Sequence, residues 1–242
     1  MSTIPTLETA SKGNVYLIGG EKGGVGKSFV ARLLAQHFID QQIPFLGFDT
    51  DRSHGTLSRF YTGFASPVVV DRYEALDAII ESAVELPARR VLVDLAAQTL
   101  EPLTRWMEES GVLDLADMSG VALHYWHVMD NGRDSLELLH KLLERFGARL
   151  HYVLVRNHVR GDDFGLLEKS GLQDRALALG ARVINLKRLH DGVVQKIDAA
   201  NSSFWAASNN NAPDGLSLGL LERQRLRIWL AHARHELKAA GV

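Results

Sequence analysis

The chain has 242 residues, of which 46% are hydrophobic and 23% are charged, and its formal net charge is −2. These values are typical of one globular domain with a sizeable core, and they give no whole-protein argument for nucleic-acid binding. The absence of cysteine excludes disulfides, thiolate metal sites and iron–sulfur clusters. Residues 1–13 are polar and unlike a signal peptide, and no apolar run approaches the roughly 20 residues of a membrane-spanning helix. We expect a polar tail at 1–13, a single domain at 14–242 and a cytoplasmic location.

Short apolar runs alternate with stretches of helical periodicity along the chain. The apolar runs predict strands at 15–18, 43–48, 68–70, 90–94, 121–129, 151–156 and 182–184. The periodic stretches predict helices at 29–41, 73–84, 100–109, 134–146, 172–179, 193–200 and 216–240, with a loop at 208–215. This alternation indicates an α/β fold, a doubly wound and mainly parallel sheet with helices on both faces.

The first predicted strand runs into a glycine-rich loop that ends in Gly26-Lys27-Ser28 at the head of a helix. Glycines let backbone N–H groups point at phosphate oxygens where a Cβ would clash, and the helix N-terminus adds partial positive charge. Lys27 is placed to reach the β- and γ-phosphates, and the Ser28 hydroxyl to ligate Mg²⁺. The predicted nucleotide site consists of Gly23, Gly24, Val25, Gly26, Lys27, Ser28 and Phe29. The alternative is a glycine-rich turn that binds nothing.

The residues before this loop depart from the common phosphate-loop pattern. Glu21 stands where a glycine is usual, and Lys22 precedes Gly-Gly-Val-Gly-Lys-Ser. This arrangement resembles the deviant Walker A motif of the ParA/MinD family of P-loop ATPases. The resemblance implies ATP and Mg²⁺ as cofactors and a homodimer that forms on ATP binding. It also implies that Lys22 reaches the nucleotide of the other protomer, which makes Lys22 a candidate catalytic residue together with Lys27.

Three aspartates follow predicted strands, at the edge where open parallel sheets bind ligands. Asp49 and Asp51 resemble the family's switch I motif, which implies Asp49 near Mg²⁺ and Asp51 as a catalytic residue that positions the attacking water. The two residues after Asp51 differ from the family's Pro-Gln, and a solvated turn is the alternative. Asp94 resembles the Walker B aspartate, which holds Mg²⁺ through water. The predicted metal site is therefore Ser28, Asp49 and Asp94.

Two asparagines resemble the family's contacts to the base. Asn157 ends a predicted strand, where the family's asparagine reads the adenine edge, and an amide can donate and accept together. A turn-forming asparagine is the alternative. Asn185 lies where the family usually has the proline of the segment that wraps the base. Gln98 follows the Asp94 strand, and we expect a structural role for it rather than orientation of water.

Histidines and the last helix offer further hypotheses. His124 and His127 are predicted on opposite faces of one strand, so they cannot chelate one ion. The last helix has an apolar face (Leu226, Trp229, Leu230, Ala233, Leu237) and arginines on another face (Arg223, Arg227, Arg234). Such a helix can bind membranes or DNA backbone, but we expect it to cover the sheet with its arginines in solvent.

The leading hypothesis is a Mg²⁺-dependent ATPase of the ParA/MinD type, an ATP-switched dimer that positions or partitions a cargo. The cargo would be a plasmid or conjugation complex or a cell-envelope machine, reached through a protein partner. Association with nucleoid DNA or the inner membrane is left open. The alternatives are a small-molecule ligase of the dethiobiotin-synthetase or cobyrinate-amidase kind, which lacks a lysine equivalent to Lys22, and a nucleotide-binding module with little hydrolysis.

Overall fold

A computed structural model describes residues 13–20, 23–209 and 218–242. Its seven strands form one sheet, in the order β3-β2-β4-β1-β5-β6-β7, and every pair of neighbours is parallel. The strands are β1 (Asn14–Gly19), β2 (Phe45–Asp49), β3 (Ala65–Pro67), β4 (Arg90–Asp94), β5 (Ala122–Met129), β6 (His151–Asn157) and β7 (Arg182–Leu186). The predicted doubly wound parallel sheet is confirmed.

Helices cover both faces of the sheet. They are α1 (Lys27–Asp40), α2 (Thr56–Phe60), α3 (Tyr73–Glu85), α4 (Leu100–Glu109), α5 (Val112–Ser119), α6 (Arg133–Phe146), α7 (Gly165–Lys169), α8 (Leu172–Ala178), α9 (Asp191–Ala199), α10 (Phe204–Asn209) and α11 (Leu220–Ala239). The buried side chains of α1, α2, α9, α10 and α11 form one apolar cluster with one face of the sheet. Those of α3 to α8 form a second cluster with the opposite face. Two cores of this kind bury the central strands on both sides.

Sheet register brings the predicted site residues to one edge. Asp49 ends β2 and lies opposite Asp94, which ends β4, while Ile18 of β1 lies opposite Asp94 on its other side. The chain leaves β1 toward β2 and later crosses to β5 on the other side of β1. In open parallel sheets this reversal leaves a crevice at the carboxyl ends of the central strands. The phosphate loop, which begins directly after β1, lies at that edge.

The predicted third strand at 68–70 is wrong. The third strand of the chain is β3, which pairs with β2 on the side away from β4, and this pairing ends where Pro67 lies opposite Asp49, the last residue of β2. Val68 still donates its N–H to the Asp49 carbonyl, at 2.8 Å, but the chain beyond it has passed the end of its neighbour. Val68 and Val70 are buried because they pack in the core beneath α3, so their apolar character reflects packing and not strand pairing.

Four short helices were not predicted, namely α2, α5, α7 and α10. The predicted loop at 208–215 is corrected at its start, since Ser208 and Asn209 end α10, and its remaining residues lie outside the described part of the chain. The predicted tail also lies outside it, except for Gly13. The long last helix begins at Leu220 rather than 216, where the Glu222 carboxylate accepts the Gly219 N–H at 2.8 Å.

Helix α11 buries the predicted apolar face, with Leu226, Trp229, Leu230, Ala233 and Leu237 all in the core. Its arginines remain partly or largely exposed, as expected, and they also bond to neighbouring segments. Arg223 and Arg227 donate to the carbonyls of Leu218 and Ser208, each at 2.8 Å, and Arg234 binds the Asp40 carboxylate at 2.6 Å. These bonds fasten α11 to neighbouring segments. Across the described residues, no helix combines the length and the apolar character that a bilayer crossing requires.

Candidate functional site

The phosphate loop joins β1 to α1. Gly24 and Gly26 have φ of 79° and 97°, the left-handed region in which a side chain is strained. Helix α1 begins at Lys27, so its free N–H groups and its positive end face the loop. Lys27 is only 7% exposed, and its Cδ lies 3.5 Å from the position that a Cβ would take at Gly20. The local geometry is that of an anion-binding loop.

Asn157 is held against this loop. Its side chain is 4% exposed, and its Nδ2 donates to the Val25 carbonyl oxygen at 2.7 Å. A Cβ at Gly26 would come within 2.2 Å of the same nitrogen, so glycine is required there for two independent reasons. The structure therefore assigns Asn157 the task of anchoring the loop. Its predicted contact with adenine stays a prediction.

The carboxyl group of Asp94 has a strongly raised pKa. Burial, and then the nearby charge of Asp49, raise the pKa of Asp94 to about 8, although Ser28 and Lys27 lie close enough to lower it in part. Neither carboxylate oxygen has a hydrogen-bond partner of normal geometry among the described residues. An unpartnered buried carboxylate is costly, and a cation or its bound water would satisfy it. This orphaned pair of oxygens fits the predicted role in holding Mg²⁺.

Asp49 is satisfied by the protein itself. One carboxylate oxygen accepts the Asp51 N–H and the other accepts the Ser58 N–H, both at 3.0 Å, and the Ser58 hydroxyl adds a bond at 3.3 Å. Asp49 thus organises the turn after β2 and helix α2. The structure brings its carboxylate beside Asp94, and its contact with the metal stays a prediction.

Asp51 lies above this turn with a quarter of its side chain exposed. Its Oδ1 accepts the N–H groups of Ser53 and His54 at 2.9 and 3.1 Å. Burial alone would raise the pKa of Asp51, but these N–H groups and the His54 ring outweigh it and lower the pKa. Asp51 is therefore a partly exposed anion at the site, as its predicted work on water requires, and that role stays a prediction.

Three further predicted residues are Lys22, Phe29 and Asn185. Lys22 lies outside the described residues. The Phe29 ring packs edge-on against Phe204 and Trp229, so only its backbone is left for a phosphate. Asn185 is exposed within β7, and its backbone N–H donates to the Glu236 carboxylate at 2.7 Å, while its predicted contact with the base stays a prediction.

Gln98 and the histidines have other environments. Gln98 is exposed in the loop after β4 with φ of 61°, a strained value for a residue other than glycine. His124 stacks on Tyr16 with ring centroids 4.8 Å apart, whereas His127 binds the Ser135 carbonyl at 2.8 Å in the opposite core layer. Their predicted placement on opposite faces is confirmed. Among the described residues no group of three or more His, Asp or Glu side chains could hold a metal by itself.

The sequence did not reveal three further residues of the site, Thr50, Asp130 and Arg160. Thr50 connects the ends of β2 and β4, because its hydroxyl donates to the Asp94 carbonyl at 3.0 Å and accepts the Ala96 N–H at 2.8 Å. Arg160 lies on the phosphate loop and binds the buried Asp130. A threonine after Asp49 was visible in the sequence, but nothing in it indicated that an arginine so distant along the chain reaches the loop.

No model of a known protein family matches the chain. The MinD cell division protein of Aquifex aeolicus superposes with a TM-score of 0.50 over 90% of this chain and 97% of that one, at 12% identity. The fold is that of a ParA/MinD-like P-loop NTPase. A ParA family ATPase of Chlorobium tepidum TLS aligns over 93% of this chain and 100% of its own, at 15% identity and a TM-score of 0.48. Protein MobD of Acidithiobacillus ferrooxidans is 25% identical over 230 residues, which are 93% of this chain and 96% of that protein.

The fold and the site geometry agree on the place of a candidate ligand site. The phosphate loop, the N-terminus of α1 and the buried Asp94 meet at the carboxyl edge of β1 and β4. In this fold class that edge carries the ligand. The described residues of the phosphate loop, from Gly23 to Lys27, therefore lie where this fold class binds ligands.

Proposed function

We propose that the protein is a Mg²⁺-dependent ATPase that works as an ATP-switched dimer. Hydrolysis would be slow and would reset a conformational state, so the protein would position a cargo rather than transform a metabolite. The likeness to MobD supports a role in DNA mobilization, with a conjugation or plasmid complex as cargo. A protein partner would connect the dimer to that cargo.

The observation that carries this proposal is the phosphate loop and its buried lysine. Lys27 is 7% exposed at the first turn of α1, beside glycines whose φ values L side chains rarely adopt. A lysine at this position of a phosphate loop forms charge-assisted hydrogen bonds to triphosphate oxygens. Phosphoryl transfer relies mainly on such positioning and on neutralised charge, so this geometry supports ATP hydrolysis.

Magnesium fits the residues at the same edge. Mg²⁺ prefers oxygen ligands and is commonly bound by one or two carboxylates together with substrate phosphates. Asp94 supplies two buried oxygens without a protein donor of normal geometry, and the Ser28 hydroxyl lies beside them. The ion would neutralise the phosphates and hold Asp94 ionised. Asp51, partly exposed and anionic, is the residue that we propose orients the water.

Dimerisation rests on Lys22. In the proposed dimer, two protomers face each other across two ATP molecules with two-fold symmetry, and each Lys22 binds phosphate in the opposite site. ATP would then favour the dimer by as much as it binds the dimer better than the monomer. A small-molecule ligase on the same fold would need no such contact.

The experiment that tests the nucleotide site compares Lys27→Ala with Lys141→Ala, a change at an exposed lysine of α6. Calorimetry with ATP and Mg²⁺ should show no measurable binding for Lys27→Ala and normal affinity for Lys141→Ala. Turnover of ATP should disappear with Lys27 and persist without Lys141. Affinity of Lys27→Ala within about a factor of three of the wild type, under roughly 1 kcal/mol, would contradict the proposal.

A further inference from the structure

Arg160 contacts the phosphate loop from the segment between β6 and α7. Its Nη2 donates to the Gly23 carbonyl at 3.2 Å, and a Cβ at Gly24 would lie 2.9 Å from the same nitrogen. Its Nη1 donates to the Asp130 carboxylate, also at 3.2 Å. The planar guanidinium can make both bonds at once, which a lysine ammonium on a flexible stem does less well.

The contacts of Arg160 and Asn157 form a pattern along the loop. Arg160 holds the carbonyl of Gly23, Asn157 holds the carbonyl of Val25, and a left-handed glycine follows each of these residues. Because the carbonyls of Gly23 and Val25 point toward β6, the N–H groups between them point away from β6. Consecutive N–H groups arranged like this form the concavity that binds anions. The end of β6 and the turn after it therefore clamp the loop at two points.

Arg160 also binds a buried carboxylate, that of Asp130. The Asp130 side chain is 3% exposed, and its Oδ1 accepts the Ser135 hydroxyl at 2.9 Å and the Gly132 N–H at 3.0 Å. These bonds fix the carboxylate at the carboxyl end of β5, next to β1 and the phosphate loop. The guanidinium adds positive charge beside this buried carboxylate, so its removal would make the surroundings of the phosphate loop more negative and oppose the binding of phosphates.

We propose that Arg160 is a positioning residue of the nucleotide site. It acts through the Gly23 carbonyl, which sets the shape of the phosphate loop, and through Asp130, whose charge it neutralises. This inference rests on the proposed function, since it needs a nucleotide that binds the loop. Because the loop receives the phosphates that ATP and ADP share, Arg160 supports the binding of both nucleotides equally.

The test measures ATP and ADP affinity for Arg160→Ala, Arg160→Lys and Arg145→Ala. Arg145 is the matched control, an arginine that pairs with Glu108 at 2.7 Å away from the loop. We expect Arg160→Ala to weaken both nucleotides by about tenfold, the scale of one charge-assisted hydrogen bond. Arg160→Lys should recover part of that loss, and Arg145→Ala should bind like the wild type. Circular dichroism and thermal melting establish that each variant is folded before it is titrated.

A double-mutant cycle with Asp130→Asn tests the charge relationship directly. If Arg160 neutralises Asp130, the double variant should bind ATP more tightly than Arg160→Ala alone. Three results would overturn the inference: affinity of Arg160→Ala within twofold of the wild type, a loss confined to ATP, or no recovery in the double variant. Each is distinguishable from failure of the proposed function, in which the wild type itself binds no ATP or Lys27→Ala binds it normally.

Discussion

Thr50 and Asp94 are joined twice, because both the N–H and the hydroxyl of Thr50 donate to the Asp94 carbonyl oxygen at 3.0 Å. The hydroxyl also accepts the Ala96 N–H at 2.8 Å. One side chain thus connects the segment after β2, which contains Asp51, with the segment after β4, which begins at Leu95. Thr50 would therefore transmit a conformational change in either segment to the other.

Thr50→Val keeps the shape of the side chain and the backbone N–H bond to Asp94, and it removes the two bonds of the hydroxyl, to the Asp94 carbonyl and from the Ala96 N–H. It should lower the free energy of unfolding by about 1–3 kcal/mol, because the Ala96 N–H loses its partner, and it should slow ATP turnover more than it weakens ATP binding. Thr50→Ser keeps the hydroxyl, so it should retain both the stability and the ATP turnover of the wild type. Thr104→Val is the control, since the buried Thr104 hydroxyl bonds only the Leu100 carbonyl within α4, at 2.6 Å. Unchanged ATP turnover in Thr50→Val would show that the connection made by the Thr50 hydroxyl has no part in the mechanism.

Gly26→Ala tests the geometry of the phosphate loop. The new Cβ meets both a φ of 97° and the Asn157 amide at 2.2 Å, so we expect ATP binding to be lost. Gly120→Ala is matched to it, because Gly120 also has positive φ, 68°, but nothing within 4 Å of its Cβ position. Gly120→Ala should cost only about 1–2 kcal/mol of stability and leave ATP affinity unchanged. Equal effects of the two substitutions on ATP affinity would contradict the loop anchoring by Asn157.

The raised pKa of Asp94 predicts how stability depends on pH in the absence of nucleotide and Mg²⁺. Asp94 titrates at about 8 in the folded protein, and an unfolded aspartate titrates near 3.9, so between these values the folded state binds more protons. This group therefore stabilises the fold at low pH, and its contribution is lost as pH rises from about 4 to about 8. Asp94→Asn should abolish this component and exceed the wild type in stability at pH 8. Urea unfolding of both proteins between pH 5 and 9, with parallel pH profiles as the contradictory result, provides the measurement.

Asp51→Asn tests the water-orienting role without deleting the turn. An asparagine oxygen can still accept the N–H groups of Ser53 and His54, whereas it lacks the negative charge that would orient water. ATP affinity should stay near that of the wild type while turnover falls by about 10²- to 10⁴-fold, the range of general acid–base contributions. His54→Ala, which removes the exposed ring beside Asp51, should affect turnover less. An unchanged turnover number at saturating ATP and Mg²⁺ would exclude Asp51 from the reaction.

The sequence predicted the parts of the molecule that depend on local patterns. The apolar run of β1, the glycines after it and the periodicity of α1 are contiguous, so the phosphate loop was visible without the structure. The sequence did not predict helix α2, because its first turn depends on the Asp49 carboxylate that accepts the Ser58 N–H. Arg160 escaped notice for a similar reason. It meets the Gly23 carbonyl across 137 positions of sequence, and only the folded sheet brings them together.

The contacts of Asn157 and of the α11 arginines could not be predicted from the sequence. Asn157 ends its strand as predicted, but its amide is turned under the loop to Val25, and sequence cannot give the direction of a side chain at a strand end. The arginines of α11 were expected in solvent because they lie on a different face from the apolar residues, and Arg227 and Arg234 are indeed exposed or partly exposed. The sequence did not show that both also bond neighbouring segments, because those partners are distant along the chain.

In the proposed function, ATP switches this protein from monomer to dimer through Lys22. The most direct measurement is light scattering of Asp51→Asn, which should retain ATP, in the presence of Mg²⁺ with ATP or with ADP. We expect a doubled mass with ATP only, and a return to the monomer mass when Lys22→Ala is added, although that variant should still bind ATP as a monomer. A mass that stays monomeric with ATP, while the wild type hydrolyses ATP, would contradict the dimer and favour a small-molecule enzyme on this fold.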